Sequence, residues 1–470
     1  EQTGHKLNLR RFRELVGVPV VTTASLTGEG VQEVLQLVEK VAFQPHQTAH
    51  PVFHGWEQKD EQAYHAWMEG VLADTLTHPE KDERTWEEWV NRLLISPWTG
   101  FPILALLMGA IFWCTFAIGD PIGEWMGQGI DRLHEWCETS IPQGWVNSLV
   151  ANGVILGVGS LLTALPNIII LFFFLSVMED TGYLARVAFL MDGLMHRIGL
   201  HGRSFIPMLM GFDCNVPAII AARDIQNPKD RTLTMLMVPF MSCSARLPVY
   251  ILFIEAFFPR YKAVVLASLY LLGIVVSFVF AKMMKRTNWF KTPEDDSINE
   301  LPDFQVPSLS FVAGHIWYRI SDFLKKISTV VLCASVIIWV LEYFPAQDLE
   351  QLDSSWLAAM GKWMEPVMRP LGMDWRLSVC LLTGLPAKEA IAATFAILFT
   401  GGVEAAGLST AGAYAFLTFT LLYFPCVATI ATIHRETNIW WALFSIVHSI
   451  VIAWVLAFAV NQLGTIIAAV

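Results

Sequence analysis

Charge is what this chain has least of. Asp, Glu, Lys and Arg make up 16% of its 470 residues and hydrophobic residues 54%, and the mean hydropathy is +0.48. Roughly a quarter of a soluble domain is charged, so a water-soluble protein is excluded. Basic charge is scarcer still. The formal net charge is -11, without the basic footprint of a phosphate binder, which argues against nucleic acid as a partner. The seven cysteines (Cys114, Cys137, Cys214, Cys243, Cys333, Cys380, Cys426) are scattered with no CxxC pair, so no disulfide framework is expected. Most lie in apolar runs, where a small buried hydrophobe is the plain alternative to any role. No H-E-x-x-H of a metalloprotease occurs; His134-Glu135-Trp136-Cys137-Glu138 comes nearest and reads as a polar outer loop. The phosphate-cradling G-x-x-x-x-G-K-[ST] sequence is missing. There is neither a signal peptide nor an initiating methionine, so the chain is expected to be part of a longer protein.

What the chain does have is long apolar runs. They fall at about 101–119, 148–178, 232–258, 262–284, 327–344, 376–400, 412–433 and 439–460, and runs of about 18 or more apolar residues are transmembrane candidates. The expected fold class is therefore mostly α: a polytopic helical membrane protein of about eight spans. A shorter segment, 204–222, carries Pro207 and Pro217 and reads as re-entrant. Lys and Arg sort the loops. The basic loop 282–326 and both basic stretches flanking 204–222 fall in the cytoplasm, and the acidic loops 120–140 and 345–366 fall outside. Both termini are then cytoplasmic.

Ahead of the membrane part, residues 1–45 read as the tail of a soluble α/β domain. Val18-Pro19-Val20-Val21-Thr22 suggests a short buried strand, and 28–41 an amphipathic helix with Val31, Val34, Leu35 and Val38 on one face. Residues 46–97 read as a small helical domain with Trp67, Val71, Leu72 and Leu76, then Trp86, Trp89, Leu93 and Leu94, at helical spacing. His46, His50, His54 and His65 are irregularly spaced and read as a solvated face. The remaining boundaries are 98–284 for a first membrane half, 285–326 for a cytoplasmic linker whose end, 311–327, reads as an interfacial helix, and 327–470 for a second half.

The stretch 161–223 organises the rest. Its apolar run ends abruptly in Glu179-Asp180-Thr181-Gly182-Tyr183-Leu184-Ala185-Arg186, and Gly211-Phe212-Asp213-Cys214-Asn215-Val216-Pro217 follows. Leu161-Leu162-Thr163-Ala164-Leu165-Pro166 recurs as Leu381-Leu382-Thr383-Gly384-Leu385-Pro386. Each copy is expected to break a helix, and each is followed by a proline near a cysteine, Pro239 with Cys243 and Pro425 with Cys426. Paired, proline-interrupted apolar segments in two halves point to a transport site. Candidate ligands are Cys243, Cys426, Asp213, Cys214, Asn215, Glu179, Asp180 and Glu389, with Met178 and Met241 nearby. Thiolate, thioether and carboxylate suit a divalent transition metal of borderline softness. Cys243 and Cys426 form the favoured pair; close helix packing is the even alternative. Glu179 and Asp180 read better as helix caps or partners of Arg186. Lys388 and Glu389 divide evenly between structural neutralisation and gating. Arg223 and Arg246 are expected to pair with acidic residues across the bundle.

Taken together these motifs resemble the bacterial ferrous iron transport B family. The residues that carry the resemblance are Glu179 to Arg186, Met191-Asp192, His201-Gly202-Arg203-Ser204, Cys214-Asn215-Val216-Pro217-Ala218, Cys243-Ser244-Ala245-Arg246 and Leu385-Pro386-Ala387-Lys388-Glu389. The resemblance implies an N-terminal GTPase, a helical spacer and a polytopic domain with two gate-type repeats. It implies Fe(II) as substrate, GTP with Mg(II) held outside this chain, and Thr23, Ala24 and Ser25 as the remnant of a guanine-recognition loop. It further implies the bacterial inner membrane, small accessory proteins of the same uptake system as partners, and leaves room for a homo-oligomer. Asp213 departs from the family pattern, which has glycine there. A nucleoside or other solute carrier and a membrane-anchored GTPase receptor are the rival readings. A sugar and base site wants Asn, Gln and aromatic groups, and an anchor needs only plain apolar helices.

Overall fold

A computed structural model describes residues 6–16, 20–23, 30–43, 61–77, 85–142, 144–287, 289–290, 309–345, 354–399 and 407–469. The chain divides into two compact units, Glu1–Trp89 and Val90–Val470.

In the first unit β1 (Lys6–Leu7) pairs antiparallel with β2 (Leu76–Thr77). Asn8 caps α1 (Leu9–Val16), its Oδ1 accepting the Arg11 N–H at 3.2 Å. Arg11 also reaches Asp74 on α3 (Glu61–Thr75) at 3.2 Å, an exposed pair of small energetic weight. The amphipathic helix expected over 28–41 is α2 (Val31–Phe43), although Leu35 and Val38 of its apolar face are exposed. Of the strand expected over 18–22, residues 20–22 are irregular and Thr22 is exposed, while 18 and 19 lie outside the described residues. The histidines at 46, 50 and 54 lie outside the described residues.

The second unit is a polytopic helical membrane domain. α4 (Thr85–Ile95) leads to α5 (Pro97–Cys114), which has Pro97 in its first turn, where a missing N–H costs nothing. α5 runs through a π-helical stretch, Thr115–Gly119, into α6 (Asp120–Ser140). The acidic segment 120–140 is thus a helix and not a loop. Ile122, Met126, Ile130, Leu133 and Cys137 keep helical spacing between the acids. α7 (Trp145–Ser148) continues by another π-helical stretch into α8 (Leu156–Asp180). Pro166 sits inside α8 without breaking it, so the first Leu-Leu-Thr-Ala-Leu-Pro copy is no hinge. α6 packs closely there: a Cβ on Gly123 would lie 2.6 Å from the Thr163 carbonyl oxygen. Gly123→Val is therefore expected to cost about 1–3 kcal/mol of overpacking, read as a lower unfolding temperature in detergent, whereas Gly129→Ala, with open space around it, is expected to leave that temperature unchanged.

After Gly182, in the left-handed region at φ 74°, come α9 (Tyr183–His196), α10 (Phe205–Met210), α11 (Asn215–Ala221), α12 (Pro228–Met237), α13 (Leu247–Phe257) and α14 (Lys262–Lys285). α10 and α11, of 6 and 7 residues, are each far too short to cross a hydrocarbon core of about 30 Å. α15 (Leu309–Tyr343) runs through residue 326 without a break. α16 (Trp356–Met368) lies in the segment expected as a second acidic loop. It is followed by α17 (Trp375–Thr383), α18 (Ala390–Leu398), α19 (Thr410–Leu422), α20 (Val427–Glu436) and α21 (Ile439–Ala469).

Six segments among the described residues are long and apolar enough to cross a membrane: 97–140, 145–180, 228–257, 262–285, 410–436 and 439–466, with Thr329–Tyr343 a shorter apolar helix. The run at 376–400, which forms the nine-residue helices α17 and α18, is not among them. Exposed tryptophans at segment ends, Trp98, Trp145 and Trp440, fit the aromatic girdles of a bilayer protein. Burial ranks the segments. Segments 228–257 and 410–436 are 61% and 72% buried, against 17% for 97–140. These two central segments are the ones that carry Cys243 and Cys426.

Candidate functional site

Four helix breaks meet at the centre of the membrane unit. Residues 211–214 separate α10 from α11, 241–243 lie between α12 and α13, 384–389 separate α17 from α18, and 423–426 separate α19 from α20. Each break exposes backbone groups that a helix would have paired, and the breaks satisfy one another. The Asp213 carbonyl accepts the Ser244 N–H at 3.2 Å and the Ser244 hydroxyl at 3.0 Å. The Leu385 carbonyl accepts the Val427 N–H at 3.0 Å. The two halves thus repeat one device: the residue after a cysteine bonds to the carbonyl of a second break. On this evidence the counterpart of the 384–389 break is 211–214 and not Pro166.

Three cysteines occupy equivalent backbone positions. Cys214 precedes α11, Cys243 precedes a 3₁₀ turn at Ser244–Arg246, and Cys426 precedes α20; all three are extended, and none uses its side chain to cap the helix it precedes. Ser, Thr, Asp or Asn normally fill that position to bond the first free N–H groups. Here a thiol stands there instead. The three thiols lie within electrostatic reach of one another, and Cys243 also of Glu389. Cys214 and Cys426 pack against the same small cluster, Val216, Val331 and Ala428. Cys426 Sγ is 2.9 Å from Thr429 Oγ1. No set of three Cys, His, Asp or Glu among the described residues is close enough to form a ready-made metal cage.

Two buried cations complete the site, and both bond to carbonyls released by the breaks. Arg246, expected to pair with an acid, instead donates Nη1 to the Met241 carbonyl at 3.1 Å and Nη2 to the Pro239 carbonyl at 3.4 Å. Carbonyls at a helix end are good partners for a cation. Lys388 is 3% exposed; its Nζ donates to the Phe424 carbonyl at 2.7 Å and lies 3.7 Å from the centre of the Tyr423 ring. It joins the 384–389 break to the 423–426 break two residues before Cys426. A tyrosine braces each half: Ser242 Oγ donates to Tyr250 OH at 3.1 Å, and Tyr423 OH donates to the Leu381 carbonyl at 3.1 Å.

The other sequence candidates separate from this group. Asn215 is buried, and with its amide oriented to satisfy both ends its nitrogen donates to the Gly211 and Val238 carbonyls at 3.1 and 3.3 Å, so it holds the break shut. Glu179 and Asp180 end α8 at the turn where the Gly182 N–H meets the Glu179 carbonyl at 3.0 Å. Arg186 donates to Asn91 Oδ1 and to the Gly182 carbonyl, each at 2.7 Å. Arg223 does pair across the halves, its Nε and Nη2 donating to the two oxygens of the Glu436 carboxylate at the end of α20. Thr23 is exposed and outside any helix or strand; Ala24 and Ser25 lie outside the described residues. The sequence carries no G-x-x-x-x-G-K-[ST] motif. What the sequence reading missed is the part played by Lys388 and Arg246. Their signal was position: each cation falls within three residues of a helix break.

The chain matches two family models: Gate, described as nucleoside recognition, over 161–257 and 324–440, and the ferrous iron transport protein B C terminus over 266–319. Cys243 and Cys426 stand equally far before the ends of the two Gate segments. Among curated relatives it is 37% identical to the "Fe(2+) transport protein A/Fe(2+) transporter FeoB fusion protein" of Porphyromonas gingivalis, covering 85% of this chain and 54% of that one. It is 38% identical to the Fe(2+) transporter FeoB of Staphylococcus aureus, covering 85% and 62%, and 34% identical to the Fe(2+) transporter FeoB of Campylobacter jejuni, covering 93% and 75%. The chain thus spans about half to three-fifths of the length of the first of these relatives. No solved structure matches it.

Proposed function

Because the chain belongs to the ferrous iron transport B family, we propose that it forms the membrane part of an Fe(II) importer, with Fe(II) as its substrate. The observation that carries this reading is the placement of Cys214, Cys243 and Cys426, one at the end of each of three helix breaks and within electrostatic reach of one another, at the join of the two halves. Thiolates and a neighbouring carboxylate, Glu389, attract a borderline divalent ion. An ion in transit must also leave, which favours few ligands at successive positions over a closed cage. The ion passes between the halves and touches thiols of both, while Arg246, Lys388, Tyr250 and Tyr423 hold the broken backbone in register around it. No step here runs through a nucleotide; GTP coupling, with Thr23, Ala24 and Ser25 completing a guanine pocket, belongs to the proposal only as a property of a longer protein. The bacterial inner membrane, cytoplasmic termini and accessory proteins of the same uptake system belong to it in the same sense.

Anaerobic uptake of radioactive Fe(II) in an iron-transport-deficient bacterium making the full-length parent of this chain tests the reading. Saturable uptake unaffected by excess nucleoside is the expected result. Uptake of nucleoside in place of Fe(II) would move the assignment to a solute carrier.

A further inference from the structure

A small closed cavity lies beside the break between α10 and α11. Its volume is about 20 Å³, and about 10–15 Å³ already admits one water-sized occupant. Three methionines line it, Met108 of α5, Met178 of α8 and Met210 of α10, among Ile, Leu and Phe side chains. The one ionisable group in the wall is Asp213, which is 8% exposed. Its carboxylate has no hydrogen bond or ion pair among the described residues; only its backbone carbonyl is engaged, by Ser244.

A carboxylate enclosed by hydrocarbon without a partner is costly to bury, and an ionisable group at membrane depth is a mark of an ion site. The wall says which ion. Thioethers are soft ligands that select Cu(I). One carboxylate with one monovalent cation is neutral, which is the state apolar walls accept at least cost; a divalent ion would leave a positive charge in hydrocarbon. We propose that this cavity binds a single soft monovalent cation, Cu(I) or its redox-inert analogue Ag(I), through the Asp213 carboxylate and the sulfurs of Met108, Met178 and Met210. The site is separate from the thiol group, yet the next residue is Cys214, so an occupant here pins one of the breaks the Fe(II) path uses.

The test uses the purified full chain in detergent micelles, with selenomethionine in place of methionine and with Cys214, Cys243 and Cys426 replaced by serine so that thiols do not compete. Copper-edge X-ray absorption of the anaerobic Cu(I)-loaded protein is expected to show Cu–Se scattering. Met178→Leu with Met210→Leu, volume-conserving changes that cores tolerate, is expected to remove it, and Asp213→Asn to weaken Cu(I) binding by about 10-fold or more in competition with bicinchoninate. A spectrum with only S, N or O neighbours overturns the proposal. A second measurement covers poor folding of the serine background: with all cysteines in place, the Met178→Leu/Met210→Leu protein is expected to bind one Ag(I) fewer than the parent, and equal stoichiometry overturns the proposal. Neither readout uses iron uptake, so this site and the transport reading fail independently.

Discussion

Replacing Cys243 and Cys426 together with serine is expected to cut Fe(II) uptake by roughly 100-fold or more while the protein still reaches the membrane. Disturbing even a supporting contact of a metal site costs about 10–100-fold in affinity or activity, and here one thiol is lost from each half. Serine is close to isosteric with cysteine, so the packing stays. At 426 the hydroxyl can still meet Thr429 Oγ1, which now lies 2.9 Å from the sulfur. At both positions the backbone is extended and the side chain caps nothing, so fold and function are separable. Cys333→Ser is the control. That cysteine is exposed on α15 and stands at no helix break, and its loss is expected to leave uptake unchanged. Anaerobic uptake normalised to membrane protein decides the matter. Full uptake by the double variant at normal abundance would sink the thiol path.

Lys388→Met is expected to act in the opposite direction. The ammonium of Lys388 fastens the 384–389 break to the Phe424 carbonyl and sits on the Tyr423 ring. Methionine keeps the length and apolar volume of the stem but leaves that carbonyl unpaired, a loss of about 1–3 kcal/mol. If the loss falls on the closed arrangement, the closed-to-open balance shifts by roughly 5- to 150-fold, seen as Fe(II) leaking into cells under conditions where the parent is silent. Overall stability is expected to change less than this, because the variant also removes a buried charge whose desolvation is costly. Lys388→Arg keeps a cation and is expected to keep the leak small. Silent Lys388→Met protein with ordinary unfolding behaviour would show that the lysine only neutralises its surroundings.

The breaks were legible from local chemistry. Pro239, Pro425 and the repeated Leu-Leu-Thr-x-Leu-Pro directed attention to Cys243 and Cys426, because proline removes a donor wherever it stands. The same rule misled at Pro166, which α8 absorbs while Gly119 of the π-helical stretch and Gly123 of α6 pack against the residues around it, Asn167 and Thr163. Charge misled at 120–140, where acidic residues hid a helical apolar spacing that only packing against α8 turned into structure.

From the sequence alone followed the class of molecule, a helical membrane protein in two related halves with thiols near helix breaks. Those properties are local: apolar run length, proline position and residue softness do not depend on what lies across the bundle. Only the tertiary structure decided which breaks face each other, that Cys214 lies within electrostatic reach of Cys243 and Cys426, that Arg246 and Lys388 hold carbonyls and not acids, and that Asp213 lines a cavity with three methionines among Ile, Leu and Phe. Arg246 reaches back only to Met241 and Pro239, but the others join segments set apart in the chain, as Lys388 is from Phe424 and Arg223 from Glu436. Such contacts are chosen by the packing of whole helices, and no short stretch of sequence carries them.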